Sequence, residues 1–179
     1  GTNAYTITIA SGDATGSTAA ELTAIDNATT VVVDASAVTA LSGSYSEIVA
    51  LYGSSGVSGF GDESITITGD SLSVEEANAI DLLTTGVVTA SIVTDSTVDS
   101  LATLTGTNNA YTITIAAADA TGSTAAELTA IDNATSVTVD VSAITSIEGT
   151  YEEITALYGS SGVSGFGDES ITITGDSLS

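Results

Sequence analysis

No lysine, arginine, histidine, cysteine, methionine, tryptophan or proline occurs among the 179 residues of this chain. Without histidine or cysteine the common zinc, haem and iron–sulfur sites cannot form, and there is no imidazole or thiol catalyst. Without lysine or arginine there is no phosphate clamp, no Schiff base and no basic surface for nucleic acid. These absences predict a protein that is neither an enzyme nor a nucleic-acid-binding protein.

The acidic residues have no side chain of opposite charge to pair with. Asp and Glu total 23, so the formal net charge is -23, yet 42% of the residues are hydrophobic. That hydrophobic content is untypical of disordered chains, and we expect a folded protein. Each carboxylate must be solvated, capped by backbone N–H groups or bound to cations, and salt would screen the repulsion. This balance favours a salty or calcium-containing extracellular setting and predicts that anionic membranes are repelled.

An internal repeat organises the chain. Residues 53–73 and 159–179 are identical, and at the same offset of 106 positions residues 1–73 match 107–179 at most places. We predict a first super-repeat of four strand-helix coils over residues 1–106 and a second, incomplete super-repeat with three strands over 107–179. Together they would form one continuous solenoid that is a fragment of a longer array or a subunit of a fibre.

Alternating β-branched residues predict strands at intervals of 23 to 34 residues, centred near Ile7, Val32, Thr66, Ala90, Ile113, Thr138 and Thr172. Such spacing is too long for hairpins and suits parallel strands joined by helices. A Ser or Thr followed three residues later by an acid marks each helix start as a capping box. The six pairs are Thr18 with Glu21, Ser44 with Glu47, Ser73 with Glu76, Ser96 with Asp99, Thr124 with Glu127, and Thr150 with Glu153.

These patterns predict an α/β fold, a right-handed solenoid of strand-helix repeats with a parallel β-sheet on one face. A doubly wound single domain is the alternative. Near-identical repeats make it the weaker choice, because such a domain needs different central and edge strands.

The segments "VEEANAIDLLTTGVVTASIVTDSTVDSLATLTGTNNAYTITIA" and "ELTAIDNATTVVVDASAVT" resemble repeats of giant bacterial surface proteins, the adhesin-like chains of cyanobacteria and proteobacteria. The resemblance covers nearly the whole sequence. It implies an exported protein with a cell-surface or matrix role, and it supplies no catalytic residues to carry over.

A row of acids follows the predicted strands, at Asp13, Asp34, Asp70, Asp95, Asp119, Asp140 and Asp176. Neighbouring strands lie about 4.8 Å apart, so a solenoid would place these side chains in a file. Carboxylate oxygens in a file suit Ca²⁺, which we predict as the cofactor to test. The alternative is turn chemistry together with attraction to helix N-termini.

The "GFGDES" loop occurs twice, with Gly59, Gly61 and Asp62 in the first copy and Gly165, Gly167 and Asp168 in the second. It differs from tandem calcium-binding nonapeptides because Asp62 directly follows Gly61. We therefore predict that a Gly-rich loop spans the 34-residue crossover and serves as a lateral contact.

Three further features of the sequence have structural explanations that require no ligand. Thr-x-Thr pairs such as Thr66 and Thr68 resemble ice-binding arrays, but strands carrying Val32 and Asp34 are expected to interrupt the file. The tyrosines are expected at core edges. The sequons at Asn27 and Asn133 fall at predicted helix ends, where Asn also serves as a C-cap.

The sequence therefore predicts a structural stalk, spacer or self-assembling fibre on a bacterial surface, stiffened by calcium. The alternative is an adhesive module that binds a glycan or surface through its Thr face or Gly loops. We expect partners to be copies of the chain, end to end or laterally. No apolar run has membrane-spanning length, so no membrane insertion is expected, and any export signal would lie outside this sequence.

Overall fold

A computed structural model describes residues 3–12, 15–94, 96–116 and 121–175. Within them the chain is an α/β protein. The helices are α1 Ala19–Ala28, α2 Tyr45–Tyr52, α3 Val74–Asp81, α4 Val98–Leu101, α5 Ala125–Asn133 and α6 Tyr151–Gly159. The strands are β1 Ser17–Thr18, β2 Val33–Asp34, β3 Ala40–Gly43, β4 Val57–Ser58, β5 Ser64–Ile67, β6 Val88–Ser91, β7 Ala110–Thr112, β8 Ser123–Thr124, β9 Val139–Asp140, β10 Ser146–Gly149, β11 Val163–Ser164 and β12 Ser170–Ile173.

The chain divides into two compact units, which are described separately. The first contains Gly1–Ser71 and Ala79–Ala90, and the second contains Leu72–Asn78 and Ser91–Ser179. The units are defined by packing, whereas the predicted super-repeats are defined by sequence identity, so the two divisions describe different properties.

All strand pairs of the first unit are parallel and nearly constant in sequence offset. Strands β1, β3, β5 and β6 pair in that order, with Leu41 opposite both Ser17 and Ile65, and Ile65 opposite Val88. The paired residues are thus 24, 24 and 23 positions apart. Strands β2 and β4 form a second ladder whose partners are also 24 positions apart. Each strand therefore pairs with residues about one helix and one loop away.

The second unit repeats this pattern. Strands β8, β10 and β12 pair in that order through Ile147, which lies opposite Ser123 and Ile171. Strands β9 and β11 form the accompanying ladder. Strand β8 begins 106 residues after β1, and α5 begins 106 residues after α1. Residues repeated in sequence therefore occupy the same kind of element in both units, except that residues 4–6, the counterpart of β7, form no strand.

The sequence pattern missed six short strands, β1, β3, β4, β8, β10 and β11. Where a 34-residue crossover was expected between Val32 and Thr66, the structure contains β3, α2 and β4. Strand β3 reads Ala-Leu-Ser-Gly, a weak strand sequence. It forms because β1 and β5 hydrogen-bond to its two edges. The first predicted strand, near Ile7, is reduced to a bridge between Thr8 and Asp34.

Apolar residues that alternate along the strands and recur along the helices form the cores. Behind the helix starts, an apolar stripe at helical spacing is buried: Leu22, Ile48, Leu51, Val74, Ala77, Ile80, Val98, Leu101 and Leu104. Short helices such as these are unstable in isolation, so their stability comes from burying this stripe.

Five of the six predicted capping pairs are confirmed. Full capping boxes begin α1, α2, α5 and α6, and Ser73 and Glu76 exchange hydrogen bonds at the start of α3. The Ser96 pair is wrong by one residue. Thr97 caps α4 instead and accepts the Ser100 N–H at 3.1 Å, because this start lets Val98 and Leu101 face the core.

Replacing Thr150 with alanine should lower the free energy of unfolding by about 1 kcal/mol at neutral pH, because α6 loses its cap. Exposed Thr174→Ala in the same unit is the matched control. The Thr150 backbone N–H and hydroxyl donate to Glu153 and lower the pKa of its carboxyl below the ordinary 4.5.

The stabilisation that ionised Glu153 contributes through these hydrogen bonds is therefore present above pH 4.5. It is lost as the pH falls through the lowered folded-state pKa. Denaturant unfolding of both variants between pH 7 and pH 3 measures the effect. A Thr150→Ala deficit that stays constant across this range would show that the Thr150 hydroxyl does not lower the pKa of Glu153.

Candidate functional site

A row of hydroxyl side chains crosses the outer face of the first unit's sheet. Register places Thr18 beside Ser42, Ser42 beside Thr66, and Thr66 beside Thr89. Neighbouring members of this hydroxyl row are about 4.8 Å apart in the hydrogen-bonding direction. Thr66 and Thr89 are exposed, while Thr18 and Ser42 are half-buried. The row thus presents uncharged hydroxyl groups at regular spacing, each able to donate and accept hydrogen bonds.

The row is held in place by the core beneath it. Side chains alternate between the two faces of a strand, so Leu41, Ile65 and Val88 point inward between members of the row and are buried. One member also begins a helix, since the Thr18 hydroxyl donates to Glu21 at 2.9 Å. The same packing that stabilises the unit therefore sets the spacing of the hydroxyls.

The corresponding row of the second unit is charged. There Glu148 lies between Thr124 and Thr172. The expected interruption by Asp34 is found at Thr8, which pairs with Asp34. It is not found at Thr66, because the neighbouring strand there is β3, which presents Ser42 between Thr18 and Thr66. The sequence pattern did not reveal the hydroxyl row, because Ser42 lies on β3 and the weak strand sequence of β3 did not predict a strand.

Three of the seven predicted calcium ligands lie within the described residues. Asp34 has Thr8 and Ser58 beside it on the neighbouring strands, and Asp140 has Thr114 and Ser164. The third, Asp70, is exposed in the turn after β5. The structure thus places no two of these three carboxylates side by side.

Asp34 and Asp140 serve as turn residues. Asp34 accepts hydrogen bonds from the Ser36 side chain and from its backbone N–H, at 3.0 Å for the latter, and these bonds lower the pKa of Asp34. Asp140 accepts the Ser142 N–H at 2.9 Å with the same effect on its pKa. Both contacts match the Asx-turn alternative.

The residues that the structure describes contain no group of three or more His, Cys, Asp or Glu side chains arranged to hold a metal ion. The remaining predicted ligands, Asp13, Asp95, Asp119 and Asp176, lie outside the described residues. Calcium binding by the seven acids stays a prediction.

The Gly-rich loop is a tight turn between β4 and β5. Gly59 has φ +99°, and a Cβ there would lie 2.6 Å from the Ser36 nitrogen. Gly165 has φ +96° and the same closeness to Ser142, at 2.7 Å. Only glycine fits both the space and the backbone conformation. These two glycines therefore have a role inside their own unit.

The other loop residues face outward or meet the next strand. Asp62 and Asp168 are exposed. The carbonyl of Gly61 accepts the Thr85 N–H at 2.8 Å, whereas nothing lies within 4 Å of a Cβ built on Gly167. A lateral contact through this loop stays a prediction.

A buried carboxylate lies beside this turn and was missed in the sequence. Glu63 is fully buried, and its Oε2 accepts the N–H groups of Gly61 and Asp62 at 2.8 and 3.2 Å. Its Oε1 and the Tyr52 hydroxyl are both buried without a partner in the described part of the chain. The alternation of Glu63, Ile65 and Ile67 could have indicated that Glu63 faces inward.

The second copy pairs the equivalent groups. The Tyr158 hydroxyl donates to Glu169 Oε1, and the two rings Tyr158 and Phe166 stack at 4.3 Å. Desolvation and the neighbouring Glu169 raise the pKa of Tyr158 to about 12. Desolvation raises the pKa of Glu169, but the hydrogen bonds from Gly167 and Tyr158 outweigh it and leave that pKa lowered. This carboxylate is therefore ionised at neutral pH and accepts hydrogen bonds rather than donating them.

The tyrosines and sequons have structural roles. Tyr111 is fully buried, whereas Tyr5 is 55% exposed, so the core-edge expectation describes neither. Thr29 of the first sequon is buried and clamps Tyr5 by donating to its carbonyl at 2.7 Å and accepting its N–H at 2.9 Å. The C-caps are Thr29 and Ala134, so the predicted Asn caps are wrong.

No protein-family model, curated protein or solved structure matches the chain. Among the described helices, none combines the length and the apolar character needed to cross a bilayer.

Proposed function

We propose that this chain is a structural repeat protein, a segment of a right-handed α/β solenoid that serves as a stalk, spacer or fibre on a bacterial surface. The observation that carries this proposal is the parallel register. Paired residues in the named ladders are 23 or 24 positions apart, as in Ile65 opposite Val88 and Ile147 opposite Ile171. A constant offset of this size is the pairing pattern of successive coils, each made of strand, helix and connecting loops.

The proposed mechanism is mechanical. Tension along such an array would be resisted by backbone hydrogen bonds between coils, such as Ser64 N–H to the Thr39 carbonyl at 3.0 Å, and Ser170 N–H to Thr145 at 2.9 Å. Buried side chains at Leu41, Ile65 and Ile147 add an apolar core beneath these bonds. No chemistry is required of this function, and we propose that the protein is not an enzyme.

Chains with one, two or three copies of residues 1–106 placed before residues 107–179 test the solenoid. Small-angle X-ray scattering should show a maximum dimension that grows by equal steps, about 4.8 Å for each added coil. A radius of gyration that instead follows the globular dependence on chain length, roughly the 0.38 power, would contradict the proposal.

The net charge of -23 should make stability depend on salt. Raising NaCl from about 0.1 to 1 M shortens the Debye length from roughly 10 to 3 Å. We expect the unfolding temperature to rise, because carboxylate repulsion in the folded state is screened. An unchanged unfolding temperature would show that carboxylate repulsion does not contribute measurably to the free energy of unfolding.

The same experiment separates screening from calcium binding. At fixed ionic strength, an additional rise with CaCl₂ that MgCl₂ does not produce would support the predicted calcium site. Equal unfolding temperatures with the two salts would reject the calcium prediction.

We propose adhesion as a second candidate function, and the exposed hydroxyl row favours it. If the row binds a polysaccharide, Thr66→Glu with Thr89→Glu should abolish retention on an immobilised glycan panel. Thr172→Glu is the matched control, because Glu148 already places a carboxylate beside Thr172. Retention unaffected by the double variant, or no retention of the unchanged protein, would reject adhesion through this row.

A further inference from the structure

Helix α1 ends with an acid that an isolated helix would not favour. Asp26 lies in the last turn of α1, where the negative end of the helix dipole opposes a carboxylate. The chain has no lysine, arginine or histidine to compensate for it. Instead, the Ser54 hydroxyl, 28 positions later, donates to Asp26 Oδ2 at 2.8 Å. This bond joins the end of α1 to the loop that follows α2.

The loop after α2 approaches Asp26 so closely that a side chain at position 56 would displace the carboxylate. A Cβ built on Gly56 would lie 1.7 Å from Asp26 Oδ1 and 2.5 Å from its carboxyl carbon. Gly56 has no positive φ, so space and not backbone conformation favours glycine here. The Gly56 N–H donates to the Ser54 hydroxyl at 3.0 Å, and the Gly56 carbonyl accepts the Val33 N–H at 2.8 Å. Asp26, Ser54 and Gly56 therefore fit one another and hold this loop against β2.

The second unit contains the same arrangement. Asp132 lies in the last turn of α5, and the Ser160 hydroxyl donates to its Oδ2 at 2.6 Å. A Cβ built on Gly162 would lie 1.8 Å from Asp132 Oδ1. The Gly162 carbonyl accepts the Val139 N–H at 2.8 Å. We call each of these sets of Asp, Ser and Gly an acid junction.

Other hydroxyls that follow a helix use a backbone acceptor. Three threonines donate to a carbonyl 21 to 24 positions earlier, at 2.6 to 2.8 Å. The pairs are Thr29 with Tyr5, Thr84 with Glu63, and Thr135 with Tyr111. Every residue has a backbone carbonyl, so these contacts do not depend on the acceptor's side chain. An acid junction, by contrast, needs Asp on one helix and Ser-x-Gly after the next.

We propose that the acid junctions are recognition sites that select which coil stacks on which. A helix with Asp in its last turn accepts a neighbouring coil that carries Ser-x-Gly after its own helix. The inference deepens the proposed structural function, and its meaning for an array rests on that function. The contact itself is measurable whether or not the protein forms arrays.

A double-mutant cycle on Gly56 and Asp26 tests this selection, with denaturant unfolding and hydrogen exchange as the measurements. Gly56→Ala should raise the unfolding equilibrium constant about tenfold, because its methyl group displaces the carboxylate from Ser54. Exchange of the Val33 amide should become faster. When Asp26→Ala is already present the space is free, so adding Gly56→Ala should cost nothing further.

Gly16→Ala is the control in the same unit, because nothing lies within 4 Å of a Cβ at Gly16. It should leave the exchange rate of the Val33 amide unchanged. The same cycle on Gly162 and Asp132 repeats the test in the second unit, with the Val139 amide as the local probe.

Two results would overturn the proposal: a Gly56→Ala variant as stable as the unchanged protein, or an equal loss from Gly56→Ala whether or not Asp26→Ala is present. If Gly56→Ala does not fold, circular dichroism of the double variant decides. Restored folding supports the selection, and absent folding contradicts it.

The scattering experiment on tandem copies is independent of this cycle. Equal growth per coil together with equal losses would reject the acid junctions and leave the structural function standing. Rescue by Asp26→Ala together with globular scaling would reject the solenoid and leave the local recognition standing.

Discussion

Replacing Tyr111 with alanine should lower the free energy of unfolding by about 3 to 5 kcal/mol, the range for truncating a large buried aromatic side chain. Tyr111 is fully buried, and its hydroxyl donates to the Ala77 carbonyl at 3.4 Å. The variant would leave a cavity where the ring lies and would remove this hydrogen bond to α3. Denaturant unfolding followed by circular dichroism measures the loss.

The chain supplies a matched control at the equivalent position of the repeat. Tyr5 has the same sequence neighbours, "AYTITIA", but is 55% exposed. Tyr5→Ala should therefore cost less than about 1 kcal/mol, as is usual for surface substitutions. Equal losses for the two variants would contradict the burial of Tyr111 and indicate that intrinsic strand preference sets the effect.

Replacing Gly86 with alanine should destabilise the first unit by about 1 to 3 kcal/mol, the usual range for overpacking. The added methyl would meet the Glu63 carbonyl at 2.4 Å, where two strands approach each other closely. Residues 84–89 should then separate from β5. Hydrogen exchange of the Ile65 amide, which donates to Val87, should become faster.

Gly16→Ala is the control for Gly86→Ala, because nothing lies within 4 Å of a Cβ at Gly16 and its φ is not positive. It should be neutral or slightly stabilising, since alanine restricts the unfolded chain more than glycine does. If Gly86→Ala also proves neutral, the close approach of residue 86 to β5 is wrong.

Local signals in the sequence predicted the starts of helices well. A capping box involves residues only three positions apart, so Thr18 and Glu21 predict the start of α1 without knowledge of the fold. Strands β5 and β6 were likewise predicted from alternation within four or five residues. The Ser96 pair was wrong because core packing at Val98 and Leu101 decides where α4 begins.

The candidate site was harder to predict because it depends on pairing. Strand β3 has a weak strand sequence and forms because it pairs with β1 and β5. The sequence pattern therefore did not predict that Ser42 lies in a row of hydroxyl groups on the sheet. The burial of Glu63 was missed because its segment resembles an ordinary Gly-rich loop. The hydroxyl row is a property of residues that lie 23 or 24 positions apart in the chain.

The sequence by itself determined which catalytic and metal-binding side chains are missing, the absence of any cationic side chain to pair with its 23 acids, and most helix starts. These follow from composition and from contacts within a few residues. The tertiary structure alone decided which side chains are buried. Ile65 and Ile171 stand in identical segments, yet only Ile65 is covered, because burial depends on the strand that pairs alongside and not on the residue itself.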